Sequence, residues 1–136
     1  MPALTGITAV RSTSNTVTQN VPYGATLGVA VPVYLDSTDS KHKSTDANLS
    51  SVAAAAKGIT MTPGVDGGYG LIAIKGSIIL VGTTMAVGTT YYCGPTTGEI
   101  IPEDELGTGD NITRLGTAAT TTQLDLDIKV TGITHP

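Results

Sequence analysis

The run Gly70-Leu71-Ile72-Ala73-Ile74-Lys75-Gly76-Ser77-Ile78-Ile79-Leu80-Val81-Gly82 constrains the fold more than any other part of the chain. It is the densest apolar segment, rich in β-branched residues and divided by glycines. Isoleucine is stiff at χ1 and fits a pleated surface, so the run reads as strand rather than helix. Gly76 interrupts it, as expected at a bulge or sharp bend. Residues 71–74 and 77–81 are therefore read as neighbouring core strands.

The rest of the chain must supply what packs on them. At 136 residues one domain is expected, long enough to bury a core. There is no Trp and no Phe, so five Tyr carry the aromatic content and the core must be built from Ile, Val, Leu and Ala. Such a core lacks the large ring anchors that dominate burial energy, and burial against further copies of the chain would compensate. Charged residues make up 13% of the chain, about half the usual share of roughly 25%. The apolar fraction is 40% and comes in strand-like runs, which argues for a folded chain whose surface is partly covered by neighbours.

The same numbers exclude several classes. With a net charge of -4 and no basic cluster beyond Lys41-His42-Lys43, a nucleic-acid partner is not expected. That triplet reads as a solvated loop. A lone Cys93 rules out a disulfide framework. Met1-Pro2-Ala3 opens no signal peptide, and no apolar run reaches membrane-spanning length, so synthesis in the cytoplasm and no membrane partner are expected.

Residues 1–22, rich in Thr, Ser and Asn, read as an edge strand or an extended N-terminal arm ahead of a β-domain over 23–136. Val29-Ala30-Val31-Pro32-Val33-Tyr34-Leu35 reads as a strand placed at an edge or bulge by Pro32. Residues 46–58 carry the one good helix signal: Thr45 or Asp46 as cap, four alanines, then Lys57 and Gly58. The competing reading starts a strand within residues 53–56 and runs it to Met61. Residues 89–93 and 99–102 read as strands on either side of the turn Gly94-Pro95-Thr96-Thr97-Gly98. Residues 124–130 alternate strictly, the pattern of a strand with one buried and one wet face.

The chain also echoes itself at an offset of 58, with Tyr34 matching Tyr92, Asp46 matching Asp104 and Gly58 matching Gly116. Gly28 and Gly88 each precede a tyrosine-bearing strand. With a short gap, residues 71–74 match the segment beginning at Leu124. The first copy is apolar throughout and the second alternates, so the first should be buried on both faces and the second on one. The expected fold is all-β, a small jelly-roll-like sandwich or barrel with two similar halves and at most one short helix.

Little in the sequence carries chemistry. His42 lies between two lysines and His135 is next to last, and neither has a partner at metal-ligand spacing. Glu103, Asp104, Glu105 and Asp110 form an acidic loop whose spacing does not match a calcium-binding loop. Asp125 and Asp127 fall on the wet face of an amphipathic strand. Cys93 has no activating neighbour and reads as a small buried thiol. The glycine-rich segment 64–70 precedes a strand, whereas phosphate loops precede a helix. No catalytic, cofactor-binding or metal-ligating residue is assigned.

Several phrases resemble those of bacteriophage capsid decoration proteins, also called head-stabilising or cement proteins. They are the Gly-x-x-x-Pro-Val-Tyr-Leu of residues 28–35, Lys57-Gly58-Ile59, the Gly76 interruption, Met85-Ala86-Val87-Gly88-Thr89-Thr90-Tyr91-Tyr92, Gly98-Glu99-Ile100 and Leu115-Gly116-Thr117-Ala118. The likeness covers roughly residues 24–132. It implies a non-enzymatic virion protein on the outer capsid surface. Such proteins bridge major capsid protein subunits as homotrimers and are retained by avidity. The contrasting expectation is a carbohydrate- or receptor-binding module of a phage fibre or tail. That module would gather Tyr23, Tyr34, Tyr69, Tyr91 and Tyr92 on an exposed face.

Overall fold

The computed structural model describes residues 3–136. Among them ten strands form one curled antiparallel sheet: β1 Ala9–Ser12, β2 Val17–Pro22, β3 Pro32–Asp36, β4 Lys41–Ser44, β5 Ala56–Thr60, β6 Tyr69–Val81, β7 Thr90–Cys93, β8 Ile100–Pro102, β9 Asn111–Ala118 and β10 Gln123–Thr134. The order across the sheet is β4-β3-β5-β6-β10-β9-β7-β8, and β1 and β2 both pair with β6. The expectation of an all-β small sandwich or barrel holds, and the helical content among the described residues is a single 3-10 turn at Glu103–Glu105.

The apolar run is one strand of 13 residues, β6, rather than two neighbours. Its first part pairs with β2 and β5, its last part with β1 and β10. The bend between them sits at Gly76, where φ is +85°. A side chain is excluded there twice over. The backbone lies in the left-handed region, and the carbonyl of Asn15 occupies the place of a Cβ. The tight turn 13–16 holds this approach. The hydroxyls of Thr13 and Thr16 donate to the Ser77 carbonyl, and the Asn15 amide oxygen accepts from the Ser77 N–H at 3.1 Å.

The echo in the sequence is a repeat of strand register. In the first half Val33 faces Ser44, Tyr34 faces Lys43 and Leu35 faces His42. In the second Tyr91 faces Pro102, Tyr92 faces Ile101 and Cys93 faces Ile100, each pair moved by 58. On the other side, Val33–Gly58 slips to Tyr34–Ala56, and Tyr91–Gly116 slips to Tyr92–Arg114, the same bulge at the same place. The bonds around the ladder follow. Ala30 donates to Thr60 O at 2.9 Å and Gly88 to Ala118 O at 2.8 Å, while Met61 donates to Leu71 O and Ala119 to Gln123 O. The last strand of each half is offset by 52, Ala73 facing Ile59 where Asp125 faces Thr117. One detail of the sequence matching changes. Gly88, with φ +84°, is the counterpart of Ala30, with φ +58°, not of Gly28.

Two buried clusters form, a smaller one within the first half and a larger one that joins Ala30, Ala56, Ile59 and Ala73 of the first half to the second. Val21, Tyr23, Leu27, Val33 and Ile72 fill the first; Ile78, Leu80, Met85, Tyr91, Leu115 and Leu124 lie in the larger second cluster. Leu27 and Met85, Val33 and Tyr91, and Ile72 and Leu124 are counterparts. Full burial of an aliphatic side chain such as Ile72 or Leu124 contributes about 2 kcal/mol. As expected, β6 is largely buried around residues 71–74, while β10 alternates over residues 124–127.

The halves close differently. In the first, β2 meets β4 directly through a parallel bridge between Tyr23 and His42, and Gly24 donates to His42 O at 2.8 Å. In the second, the amino-terminal segment is inserted. Leu4 donates to Ile100 O at 2.9 Å, and β1 pairs with residues 78–81. Residues 9–22 thus belong to the sheet as β1 and β2 instead of forming a separate arm. Met1 and Pro2 lie outside the described residues.

No helix forms over residues 46–58; this stretch is a series of turns leading into β5. Polar side chains there compete for the backbone, Asp46 Oδ1 accepting from Asn48 N–H and Ser50 Oγ from Ala53 N–H. The Ala47 carbonyl accepts from both the backbone and side-chain nitrogens of Asn111. A helix this short is marginal alone, and these bonds outweigh it.

Candidate functional site

Besides β1, which pairs with β6 alone, two stretches of sheet edge are open among the described residues. Beyond Leu126, β10 leaves β6 and pairs only with β9, through Lys129–Arg114, Val130–Thr113 and Thr134–Asn111. Residues 129–134 are all exposed, and Val130 and Ile133 keep 49% and 63% of their surface. The second stretch is β2, whose residues 17–20 are exposed and pair with β6 alone. Its other side meets a strand only at the end of β2, through the Tyr23–His42 bridge. The remaining large exposed apolar side chains are Leu35, Leu49, Val52, Val65, Tyr69 and Val87.

The ionisable residues are held in structural roles. Lys41-His42-Lys43 is strand β4 rather than a solvated loop, because alternation turns His42 inward between two outward lysines. His42 is buried, and burial pushes its pKa below the ordinary value despite the Pro22 backbone acceptor. Lys43 Nζ reaches Asp36 at 2.7 Å and Asp39 at 3.1 Å, which holds the Asp36 carboxyl well below the usual carboxylate range. Asp110 is buried, not part of a solvated acidic loop, and accepts from Gly107 N–H at 2.7 Å. His135 is tied by its backbone to Gly109 and Asp110. Asp125 and Asp127 are on the exposed face as read. Asp125 accepts from Ser77 Oγ at 2.6 Å and Asp127 from Arg114 at 2.6 Å. The Cys93 thiol is fully buried and pushed up to about 12 by that burial.

The tyrosines do not gather. Tyr23 and Tyr91 are buried in separate cores, Tyr34 and Tyr92 are half-buried, and Tyr69 is exposed. Gly64 and Gly70 leave room for the Tyr23 ring, whose hydroxyl donates to Thr62 O at 2.8 Å. A groove of about 510 Å³ is lined by Gly88, Thr89, Thr90, Glu103 and Asp104. It holds two carboxylates and no basic or nucleophilic nitrogen or sulfur. Among the described residues no group of three His, Cys, Asp or Glu side chains could hold a metal ion, and no helix is long and apolar enough to cross a membrane. No family model matches the chain, and no curated protein matches it in sequence.

Sequence reasoning found the buried thiol and the wet carboxylates. The edge-strand reading of residues 1–22 fits the open stretch of β2, whereas the open edge of β10 was missed, since pairing partners are not written in a strand's own pattern. In β10 the alternation runs on through Val130 although burial stops at Ile128, so the strand's own pattern does not mark where its second neighbour ends.

Proposed function

We propose that this chain is a non-enzymatic structural protein of a phage particle, a cement that sits on the outer capsid surface and bridges major capsid protein subunits as a homotrimer. The observation that carries the reading is the pairing of a tightly bonded β-body with two uncovered sheet edges and several exposed aliphatic side chains. Long exposed edges are association surfaces unless blunted by charge or proline. The cement-like phrases at residues 28–35 and 85–92 supply the kind of assembly. A weak contact to each subunit suffices, because a bound trimer turns every later contact into an intramolecular one. The carbohydrate-binding reading has less support, since Tyr23 and Tyr91 are interior residues.

The test is thermal release of DNA from particles assembled with and without this chain. A higher release temperature in its presence is expected. Equal temperatures, or particles that do not retain the chain, refute the role.

A further inference from the structure

We propose that copies of this chain associate head to tail by strand addition, residues 129–134 of β10 in one copy pairing with residues 17–20 of β2 in the next. The inference deepens the homotrimer reading and rests on it.

The internal repeat supplies the argument. The opening strand of the first half is β2, and that of the second is the last part of β6: β2 pairs with β6 as β6 pairs with β10, Gln19 facing Ile72 where Ile78 faces Leu124. Following residues 71–74, the chain enters the opening strand of the second half. Following their counterparts at 123–126, it enters residues 129–134. These residues therefore occupy the place of an opening strand, and among the described residues they pair with β9 alone.

The outer edge of an opening strand can take a further antiparallel strand. On β6 it is filled by β1, through Val10–Leu80 and Arg11–Ile79. On residues 17–20 of β2 and residues 129–134 of β10 it is unfilled among the described residues. The two edges are different patches on one chain. A three-fold ring needs such a heterologous contact, because a self-complementary patch closes at two copies.

The chemistry of the edges fits mutual pairing. Residues 17–20, Val-Thr-Gln-Asn, carry no charge, and residues 129–134 carry only Lys129. Neither stretch contains proline. Edges that must stay free are usually guarded by charge, proline or both. Strand addition supplies main-chain hydrogen bonds, and Val17, Val130 and Ile133 supply apolar surface beside them.

Complementation tests it. One variant carries Val130→Lys and Ile133→Lys, the other Thr18→Lys and Asn20→Lys; all four side chains are exposed, so folding is not expected to suffer. The wild-type chain should run as a trimer by size exclusion with light scattering. Each variant alone should be a monomer with native far-UV circular dichroism. Mixed in equal amounts they should form a heterodimer and nothing larger, since one good head and one good tail remain. Hydrogen exchange on the wild type gives a readout that needs no variant. Amides at 17–20 and 129–134 should exchange roughly tenfold more slowly in the oligomer than after dissociation by dilution. A wild-type trimer whose folded variants stay trimeric, or whose amides at both edges are unprotected, overturns the strand-addition contact and leaves the trimer reading standing. A wild-type dimer overturns the head-to-tail arrangement. A wild-type monomer removes the homotrimer reading itself.

Discussion

Changing Gly58 or Gly116 to alanine should damage the protein in the same way at two places, while the same change at Gly28 should not. At Gly58 a Cβ would lie 2.5 Å from the Ala73 carbonyl oxygen, and at Gly116 closer still to the Asp125 carbonyl oxygen. Real Cβ atoms essentially never come within 3.0 Å of a neighbour. The obstacle is main chain on the adjacent strand, so relief requires β5 to part from β6 at Gly58 and β9 from β10 at Gly116. Overpacking of this kind costs about 1–3 kcal/mol, and a weakened ladder bond adds about 1 kcal/mol. The reduced freedom of the unfolded chain returns about 0.4–1 kcal/mol. A loss of about 2–3 kcal/mol is expected at each site, or roughly 8–12 °C in Tm for a chain of this size. Gly28 is exposed, has an ordinary φ and would place its Cβ in open space, so only the unfolded-state term acts and Gly28→Ala should gain about 0.4–1 kcal/mol. Thermal and urea unfolding followed by circular dichroism at one protein concentration measures all three. If Gly116→Ala proves as harmless as Gly28→Ala, or Gly58→Ala and Gly116→Ala differ by more than about 2 kcal/mol, the reasoning from shared register fails.

Cys93 should resist alkylation in the native protein at pH 8 and react at once in denaturant, because burial keeps it as the neutral thiol. Its folded pKa is raised from 9.0 to about 12, so its contribution to stability is complete below pH 9 and declines as pH rises toward 12; Cys93→Ala should flatten that alkaline decline in urea titrations. His42 has the opposite sign. Its folded pKa is lowered from 6.5, so its neutral form favours folding above that pH and stability falls as the unfolded chain takes up the proton below it. His42→Gln should shrink the loss between pH 7 and pH 5, and an unchanged slope there would refute the burial argument. Asp36 is also lowered, chiefly by its hydrogen bond from Lys43, so Asp36→Asn should remove part of the stability lost as pH falls below 3.8; acid unfolding with and without the substitution checks this.

The strands were legible where composition alone decides them. The isoleucines of β6 and the alternation of Leu124, Asp125, Leu126 and Asp127 needed no partner to be read. The repeat was visible from Tyr34–Tyr92 and Gly58–Gly116, because the close approach of the next strand's carbonyl demands glycine in both halves. The alanine-rich segment after Asp46 misled, since helix propensity counts only local terms and Asn111 claims the Ala47 carbonyl from far along the chain. Charged neighbours make His42 read as solvated, yet strand alternation turns it inward; Asp110, in sequence one of an acidic loop, is buried and accepts a hydrogen bond from the Gly107 N–H. The open edges of β2 and β10 depend on which strands stop short, a matter of topology that neither segment encodes.

Because β6 serves as the closing strand of one half and the opening strand of the other, neither half is a severable module. A nick near Gly76 would strip both at once, and an expression fragment ending before Gly70 would lack the wall its own barrel leans on. The repeated register is thus not two beads on a string but a single cooperative body, expected to melt in one step.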